Sequence, residues 1–370
     1  MEKVRLGDYI EEYSVRNKND ENLPVYSVTN TQGFCRDYFG KEVASKDKTT
    51  YKIVPKGCFA YNPSRINVGS VDWQRKEERV IVSPLYNVFA VSERLRQQYL
   101  YYYLKSNFAL QRIRSVATGS VRGNLKLEML KEFPIWLPSV EEQDAIVKKL
   151  DIVNEVINFR RQEILKLENL AQARFVEMFG DENNSKNWNV VNVEDVADVQ
   201  VGVVIKPSQY YTDESEGVRA FRSLNIGAGF IKDIDWVYFT KEGHLKNSKS
   251  ILKENDLLIV RSGAPGTACV VTEEYAGCNA VDIIIAHPDC EKVNPYYLCT
   301  FTNMPHGKKQ IDEGIGGAAQ QHFNVGKYNK LQLMLPPKTL QDEFGDFINQ
   351  VDKSKLQYHP HTHTCQPNTS

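Results

Sequence analysis

The residues of this sequence best suited to chemistry are cations set among aromatic rings. Between Arg94 and Lys126 the chain carries seven Lys or Arg residues and no Asp or Glu, and four tyrosines and Phe108 lie among them. Lys and Arg neutralise phosphates and release counterions, so such a stretch favours contact with a nucleic acid. The alternative is an amphipathic helix whose aromatic rings belong to a core and whose cations are solvated.

No catalytic motif accompanies these cations. Residues 62–65 (Asn-Pro-Ser-Arg) come nearest to the turn of an adenine methyltransferase but lack its second Pro and its aromatic residue. The G-x-x-x-x-G-K-[ST] phosphate loop does not occur. Gly314, Gly316 and Ala319 fit a dinucleotide-binding pattern, but they follow a predicted helix instead of a strand. Residues 288–292 hold the carboxylates and lysine of a nuclease without the spacing. We therefore predict no catalytic residues and no cofactor bound by this chain.

Composition narrows the class further. The 370 residues are 41% hydrophobic and 25% charged, with a net charge of −1, as in globular proteins of two or three domains. The longest apolar runs, such as residues 281–286, are shorter than the roughly 18 residues of a membrane span. The seven cysteines form no C-x-x-C pair, which argues against a disulfide framework or a zinc site. We expect a cytoplasmic protein with no metal site and no membrane contact.

The chain contains an internal repeat. Sliding the sequence against itself aligns identical pairs at an offset of 198 residues. The aligned pairs are Tyr99-Leu100 with Tyr297-Leu298, Leu137-Pro138 with Leu335-Pro336, and Gln143-Asp144 with Gln341-Asp342. The copies differ in charge, since residues 1–180 hold 28 basic and 23 acidic residues whereas residues 181–370 hold 18 and 24. Two copies of one domain therefore present different electrostatic surfaces.

The same elements are predicted in both copies. Short β-rich segments come first, followed by a helix, a Gly-containing loop, a strand ending at Leu-Pro, and a further helix. The predicted strands are 51–54, 58–61, 79–82, 87–91, 257–260, 268–272 and 281–286, and the predicted helices before the loops are 95–116 and 295–311.

The helix after the first Leu-Pro is the most informative element. Residues 139–179 contain neither Pro nor Gly, and at 1.5 Å per residue they span about 60 Å, too long to be buried in one small domain. Apolar residues recur along it with heptad spacing, which predicts a coiled-coil seam. The seam comprises Ile146, Leu150, Val153, Ile157, Ile164 and Leu167, and the second copy repeats it at Phe344, Phe347 and Val351.

This arrangement resembles the specificity subunit of a type I restriction–modification system over residues 1–356. The repeated Leu-Pro and Gln-Asp pairs, the Gly loops at 119 and 317, and the long helix carry the resemblance. It implies an α+β fold with two β-rich target recognition domains, related by the internal repeat and joined and spaced by long antiparallel coiled-coil helices. The expected segments are recognition domain 1 (1–137), a spacer helix (138–180), recognition domain 2 (181–335), a shortened second helix (336–356) and a disordered tail (357–370).

The resemblance also implies a function. Each half would read one part of a split sequence in double-stranded DNA, and the helices would set the spacing and dock methyltransferase subunits. Motor-nuclease subunits would join this complex, with S-adenosylmethionine, ATP and Mg²⁺ on the partner subunits. The shortened second helix keeps an alternative open, in which the chain is a coiled-coil scaffold or truncated decoy that binds the partners without reading DNA.

Base readout would use loop side chains, since Arg suits guanine and Asn or Gln suits adenine. Side-chain chemistry and loop position alone select the candidate DNA contacts. They are Arg65, Arg75, Lys76, Arg112, Arg114, Arg122 and Asn124 in the first copy, and Arg219, Arg222, Asn225, Arg261, Lys308, Lys309, Gln320 and Gln321 in the second.

Overall fold

The computed structural model describes residues 2–36, 47–116, 124–315 and 323–356. The chain divides into two compact units, unit 1 (Met1–Asn158) and unit 2 (Phe159–Ser370), so the boundary falls inside the predicted spacer helix. The candidate contacts Arg122, Gln320 and Gln321 and the predicted tail 357–370 lie outside the described residues.

The helices occur in the predicted order. The described helices are α1 (Gln97–Lys105), α2 (Asn107–Val116), α3 (Leu127–Lys131), α4 (Val140–Phe179), α5 (Lys241–Lys246), α6 (Pro295–Asn303), α7 (Pro305–Ile315), α8 (Val325–Asn329) and α9 (Lys338–Leu356). Each helix predicted before a Gly loop is in fact two helices. Ser106 and Met304 adopt extended backbone between them, and Pro305 begins the second helix of unit 2. Proline fits a first helical position because its missing N–H has no partner there.

Unit 1 is built around a four-stranded sheet of order β2-β9-β6-β7, with short two-stranded sheets beside it. Its strands are β1 (Glu2–Arg5), β2 (Ile10–Glu12), β3 (Ser27–Thr29), β4 (Gly33–Cys35), β5 (Lys52–Pro55), β6 (Phe59–Tyr61), β7 (Val71–Trp73), β8 (Arg79–Val82), β9 (Asn87–Val91) and β10 (Pro134–Leu137). The smaller sheets pair β1 with β10, β3 with β4, and β5 with β8. Helices α1 to α3 cover an apolar core that includes Phe59, Leu100, Leu104, Ile113 and Ile135.

Unit 2 repeats the four-stranded sheet as β12-β19-β16-β17 and adds a second four-stranded sheet, β13-β15-β14-β18. Its strands are β11 (Asn189–Asn192), β12 (Ala197–Val201), β13 (Tyr211–Thr212), β14 (Val218–Phe221), β15 (Val237–Phe239), β16 (Leu257–Val260), β17 (Ala268–Val270), β18 (Asn279–Ala280), β19 (Ile283–Pro288) and β20 (Gln332–Leu335). Strand β11 pairs with β20, as β1 pairs with β10 in unit 1.

The repeat predicted from the sequence is confirmed by strand register. Ile10 pairs with Val91 in unit 1, and Ala197 pairs with Pro288 in unit 2. Phe59 faces Trp73 just as Leu257 faces Val270. The predicted α+β fold with two repeated units is therefore confirmed. The second sheets are not alike, so the units diverge outside the shared sheet.

A buried glutamine at the start of α4 and of α9 explains the repeated Gln-Asp pair. The Gln143 amide nitrogen donates to the carbonyls of Arg94 (2.9 Å) and Pro138 (3.0 Å), and its oxygen accepts from the Arg96 N–H (2.8 Å). Gln341 makes the same three bonds to the Lys292 and Pro336 carbonyls and the Asn294 N–H, at 3.4, 2.8 and 2.9 Å. We call this set of bonds the glutamine clamp. It ties each helix to the chain that precedes α1 or α6.

The predicted coiled-coil residues have different environments. Leu150, Val153 and Ile157 are 37%, 53% and 42% exposed. Ile146, Ile164 and Leu167 are half-buried. Phe344, Phe347 and Val351 contribute to the apolar interior of unit 2, where α9 packs beside α6. Their role in a coiled-coil seam stays a prediction.

The last turns of α4 also belong to unit 2. Phe179 meets Tyr297 edge-on at 4.6 Å between ring centroids, and Phe175 stacks on the same ring at 5.4 Å. Both phenylalanines contact Phe344. Helix α4 thus begins at the glutamine clamp of unit 1 and ends in an aromatic cluster of unit 2. Among the described residues, no helix combines the length and apolarity needed to cross a membrane.

Candidate nucleic-acid interface

The loop between β6 and β7 (residues 62–70, the β6–β7 loop) gathers three of the predicted contacts of unit 1. Arg65 lies in it and is exposed. The Arg114 Nε donates to the carbonyl of Asn67 at 3.3 Å, which brings α2 to the loop. The Leu125 N–H donates to the carbonyl of Pro63 at 3.0 Å, which places exposed Asn124 beside it. Two cations and an amide therefore share one surface, a composition suited to phosphates and base edges.

A second group follows β7. The Arg75 guanidinium lies over the Trp73 ring at 4.7 Å and the Tyr101 ring at 5.7 Å, and it forms an ion pair with the carboxylate of Asp72. The ammonium of Lys76 donates to the Phe34 carbonyl at 3.4 Å. Arg75 is thus held in one orientation while 40% of its side chain stays exposed. Such fixing reduces the entropy lost when the fork of an Arg binds a partner.

The other cations of the basic stretch have mixed roles. Arg112 is exposed on α2 over the Phe133 ring at 5.3 Å. Arg96 forms a two-point ion pair with Asp144, with both N···O distances at 3.0 Å. Burial lowers the pKa of Lys105, whose ammonium donates to the carbonyls of Asn30 and Gly69. The structural interpretation therefore holds for Arg96 and Lys105.

The tyrosines of this stretch also serve the fold. The hydroxyl of Tyr99 donates to the Trp136 carbonyl at 2.8 Å, and that of Tyr103 to the Pro134 carbonyl at 2.7 Å. Burial raises the pKa of Tyr103 to about 12. The hydroxyls of these two tyrosines therefore hold α1 to β10, so the structural interpretation applies to them as well.

In unit 2, two predicted contacts support their own loop. The Arg261 side chain is 17% exposed, ion-pairs with Asp282, and donates from Nε to the Phe323 carbonyl at 3.3 Å. The Lys308 ammonium donates to the Pro265 carbonyl and the Thr267 hydroxyl, and burial lowers its pKa. Both side chains brace the loop between β16 and β17 (residues 261–267, the β16–β17 loop). Their role as DNA contacts stays a prediction beside this role in loop support.

Two more predicted contacts lie at the end of β14. Asn225 is fully buried, accepts from the Arg222 N–H at 2.9 Å, and donates to the Ile234 carbonyl at 2.6 Å. The Arg222 guanidinium bonds the carbonyl and carboxylate of Asp235. Asn225 closes a turn, and Arg222 pairs within it. Asn225 presents no free edge for base readout, whereas 30% of the Arg222 side chain is exposed and its DNA contact stays a prediction.

Two other cations of unit 2 are predicted DNA contacts. Arg219 is half-buried over the Trp236 ring at 5.6 Å, and Lys309 is exposed on α7. Among the described residues, the predicted contacts with exposed cationic side chains therefore lie mainly in unit 1. No group of three or more His, Cys, Asp or Glu side chains arranged to hold a metal occurs among the described residues.

Sequence reasoning missed Asp72 and Gln74, which flank Trp73 immediately before Arg75 and Lys76. Both are buried beside a cavity that Arg75 and Lys76 also line. The available signal was a polar pair next to two cations at the end of a short strand. Each of the two residues alone is typical of an ordinary turn, so neither indicates a binding site by itself.

The comparisons with known proteins match both halves. Residues 2–169 and 185–361 each match the family model described as type I restriction modification DNA specificity domain. The type I restriction enzyme MjaVIII specificity subunit of Methanocaldococcus jannaschii is 25% identical over 382 residues, covering 95% of this chain and 86% of that protein. The MjaIX specificity subunit of the same organism is 21% identical over 271 residues, covering 68% of this chain and 61% of the relative.

A solved structure supports the fold. The type I restriction–modification S subunit from M. genitalium aligns with a TM-score of 0.53 at 15% identity, covering 96% of this chain and 90% of that one. At this identity the likeness concerns the fold alone. The family match, in contrast, spans almost the whole chain and follows its two copies. The chain therefore belongs to the family of type I restriction modification DNA specificity domains.

Proposed function

We propose that this chain is the DNA-recognition subunit of a type I restriction–modification complex, with each unit reading one half of a split target. The observation that carries the proposal is the pairing of one shared sheet with two unlike loop surfaces. Strand order and register repeat between the units, whereas the side chains of the β6–β7 and β16–β17 loops differ. A repeated scaffold with unlike loops suits a reader of two different half-sites.

The helices and the partner subunits complete the proposal. Helix α4 spans 40 residues, about 60 Å, and joins the two units, so its length contributes to the spacing between half-sites. The exposed apolar residues along its middle suit the docking of methyltransferase subunits. Methylation then belongs to the methyltransferase subunits, and cleavage belongs to the motor-nuclease subunits. These partner subunits would use S-adenosylmethionine, ATP and Mg²⁺. This chain supplies recognition without catalysis, and we place it in the cytoplasm with the DNA it reads.

The experiment is co-expression with a type I methyltransferase subunit from the same genome, followed by methylation-sensitive sequencing of the host DNA. We expect a split motif with methylated adenine in each half. A stable complex that methylates no motif would contradict the proposal and would favour the alternative, a scaffold or decoy that reads no DNA.

Salt dependence separates these two functions in vitro. A reader that neutralises phosphates loses affinity linearly on a log–log plot of binding constant against salt, with a slope of about −0.9 per phosphate contacted. The exposed cations around the β6–β7 loop predict such a slope for the complex. A scaffold would leave the slope of the partner subunits unchanged when it is added.

A further inference from the structure

A polar cavity of about 270 Å³ opens on unit 1 beside the second group of cations. Three parts of the chain line it: the turn at residues 31–34, the segment at residues 72–76, and Tyr101. The first part runs from the turn after β3 into β4, and the second comprises the end of β7 and the residues after it. The cavity therefore lies where the unit-specific hairpin meets the shared sheet. A site at this junction combines a rigid support with a part of the chain that differs between the units.

Gln74, which lines this cavity, carries an unsatisfied donor. Its backbone N–H donates to the Cys58 carbonyl at 2.8 Å, and its carbonyl accepts from the Gly57 N–H at 2.7 Å. Its side-chain oxygen accepts from the Lys76 N–H at 2.9 Å, which fixes the orientation of the amide. The amide nitrogen is buried and has no hydrogen-bond partner among the described residues. A buried unpaired donor is destabilising, and such groups call for an explanation such as a ligand.

Asp72 fixes the neighbouring cation and has little capacity left as an acceptor. Its carboxylate accepts from the Phe34 N–H at 3.0 Å, from the Trp73 N–H at 2.8 Å, and from the Arg75 guanidinium. Three of about four lone-pair sites are therefore occupied. The exposed guanidinium of Arg75 is thus a donor at the cavity, and the fully buried, unpaired amide of Gln74 is a second donor in its lining.

We propose that this cavity reads a guanine in the half-site contacted by unit 1. The inference rests on the proposed function and specifies the chemistry of one of its contacts. Guanine alone presents two acceptors, O6 and N7, and no donor in the major groove, whereas adenine and cytosine each present an amino group. Arg75 donates to O6 and N7, Gln74 adds a donor, and Asp72 positions Arg75.

A phosphate is a poorer match for this site. The carboxylate of Asp72 offsets much of the charge of Arg75, which weakens its attraction to a point anion. The same carboxylate and the rings of Trp73 and Tyr101 fix the plane of the guanidinium. A fixed plane with reduced net charge favours directional readout over charge neutralisation.

The test uses the complex of this chain with its methyltransferase subunits. The complex selects duplexes from a pool of random DNA sequences, and the bound duplexes are sequenced. Arg75→Lys keeps the charge and removes the two-point fork. Gln74→Met keeps the length and removes both the unpaired donor and the acceptor of the Lys76 N–H. Arg79→Lys is the matched control, because Arg79 is an exposed Arg of the same unit, pairs with Glu21, and does not line the cavity. Thermal melting of each complex accompanies the selection.

We expect the wild-type complex and Arg79→Lys to enrich one split motif. Arg75→Lys should lose the preference for one guanine in one half roughly tenfold or more, with the other half unchanged. Gln74→Met should weaken the same position less, and it should lower the melting temperature slightly because it also removes the acceptor of the Lys76 N–H. A purely structural role for Gln74 would lower the melting temperature and leave the base preference unchanged, so the base preference decides.

Three results would overturn the inference. In the first, both variants enrich the wild-type motif; in the second, the position that relaxes is not a guanine. In the third, binding weakens equally for all sequences, which would mark Arg75 as a phosphate contact. Each of these leaves the proposed function in place. If the wild-type complex enriches no motif, the proposed function fails and the inference fails with it. Should Arg75→Lys not fold, Gln74→Met decides by the same criteria.

Discussion

The two units share a sheet, a helix arrangement and a glutamine clamp, yet they use their cations differently. In unit 1, Arg65 and Arg112 are exposed, and the fork of Arg75 is held beside a cavity. In unit 2, Arg261 and Lys308 brace the β16–β17 loop from within. The difference shows that a duplicated fold keeps its internal polar bonds while the charge on its loops is redistributed. Among the described residues, the predicted DNA contacts are therefore mainly exposed in unit 1 and mainly engaged internally in unit 2.

The largest expected effect is a loss of unfolding free energy that differs between the two copies at one pair of aligned positions. Phe344 is fully buried between Phe175 and Phe179, whereas Ile146, its counterpart, is half-buried. We expect Phe344→Ala to cost about 3–5 kcal/mol of unfolding free energy, because it leaves a cavity in an aromatic cluster. Ile146→Ala should cost clearly less. Denaturant unfolding measures both, and equal costs would contradict the asymmetry.

Removal of the glutamine clamp should cost the same unfolding free energy in both copies. Gln143→Ala and Gln341→Ala each remove three hydrogen bonds and leave buried backbone groups unpaired, so each should cost about 2–3 kcal/mol. Gln162→Ala, on the exposed middle of α4, is the control and should change little. A large cost in one copy alone would show that the clamps are not equivalent.

A smaller effect tests the loop cations. Arg261→Ala should destabilise unit 2 by about 1–2 kcal/mol, because it removes the ion pair to Asp282 and the bond to the Phe323 carbonyl. Arg65→Ala should change stability by less than about 0.5 kcal/mol but weaken DNA binding. Unfolding and DNA titration of both variants give the comparison. Loss of stability with Arg65→Ala would place that residue in the fold instead of the interface.

The smallest effect concerns single phosphate contacts. Arg114→Gln should reduce the salt slope of DNA affinity by about 1, as expected for one lost contact. Lys309→Gln tests a predicted phosphate contact of unit 2 in the same way, because Lys309 is exposed on α7. DNA affinity measured across a range of salt concentrations gives both slopes. If neither variant changes the slope, these cations are solvated surface and not phosphate contacts.

The sequence predicted the parts of the fold that depend on pattern. Strands at 79–82, 87–91 and 257–260 occur at those residues, and the repeat is present in the register of both sheets. Helix α4 begins and ends within two residues of the predicted span, because a run without Pro or Gly bounded by Leu-Pro and Gly leaves few choices. The short strands β3, β4 and β13 to β15 were missed, since segments of two to four residues show no periodicity.

The candidate site was harder to predict than the fold. An Arg in a loop has the same sequence signature whether it faces solvent, as Arg65 does, or braces the loop, as Arg261 does. The difference depends on Asp282 and Phe323, which lie 21 and 62 residues away. Asn225 was predicted from its side chain alone, and its burial follows from the turn that it closes. Partners distant in sequence decide these roles.

The glutamine clamp has a consequence for how this chain can vary over evolutionary time. All three of its partners are backbone atoms, so the residues that supply them are free to differ. In the aligned copies of this sequence, Arg94 corresponds to Lys292 and Arg96 corresponds to Asn294, and the hydrogen bonds are the same. At the clamp, the geometry of each helix start rests on one glutamine and on a main-chain path that ends in proline. Substitutions elsewhere can accumulate without moving the support on which the loops stand.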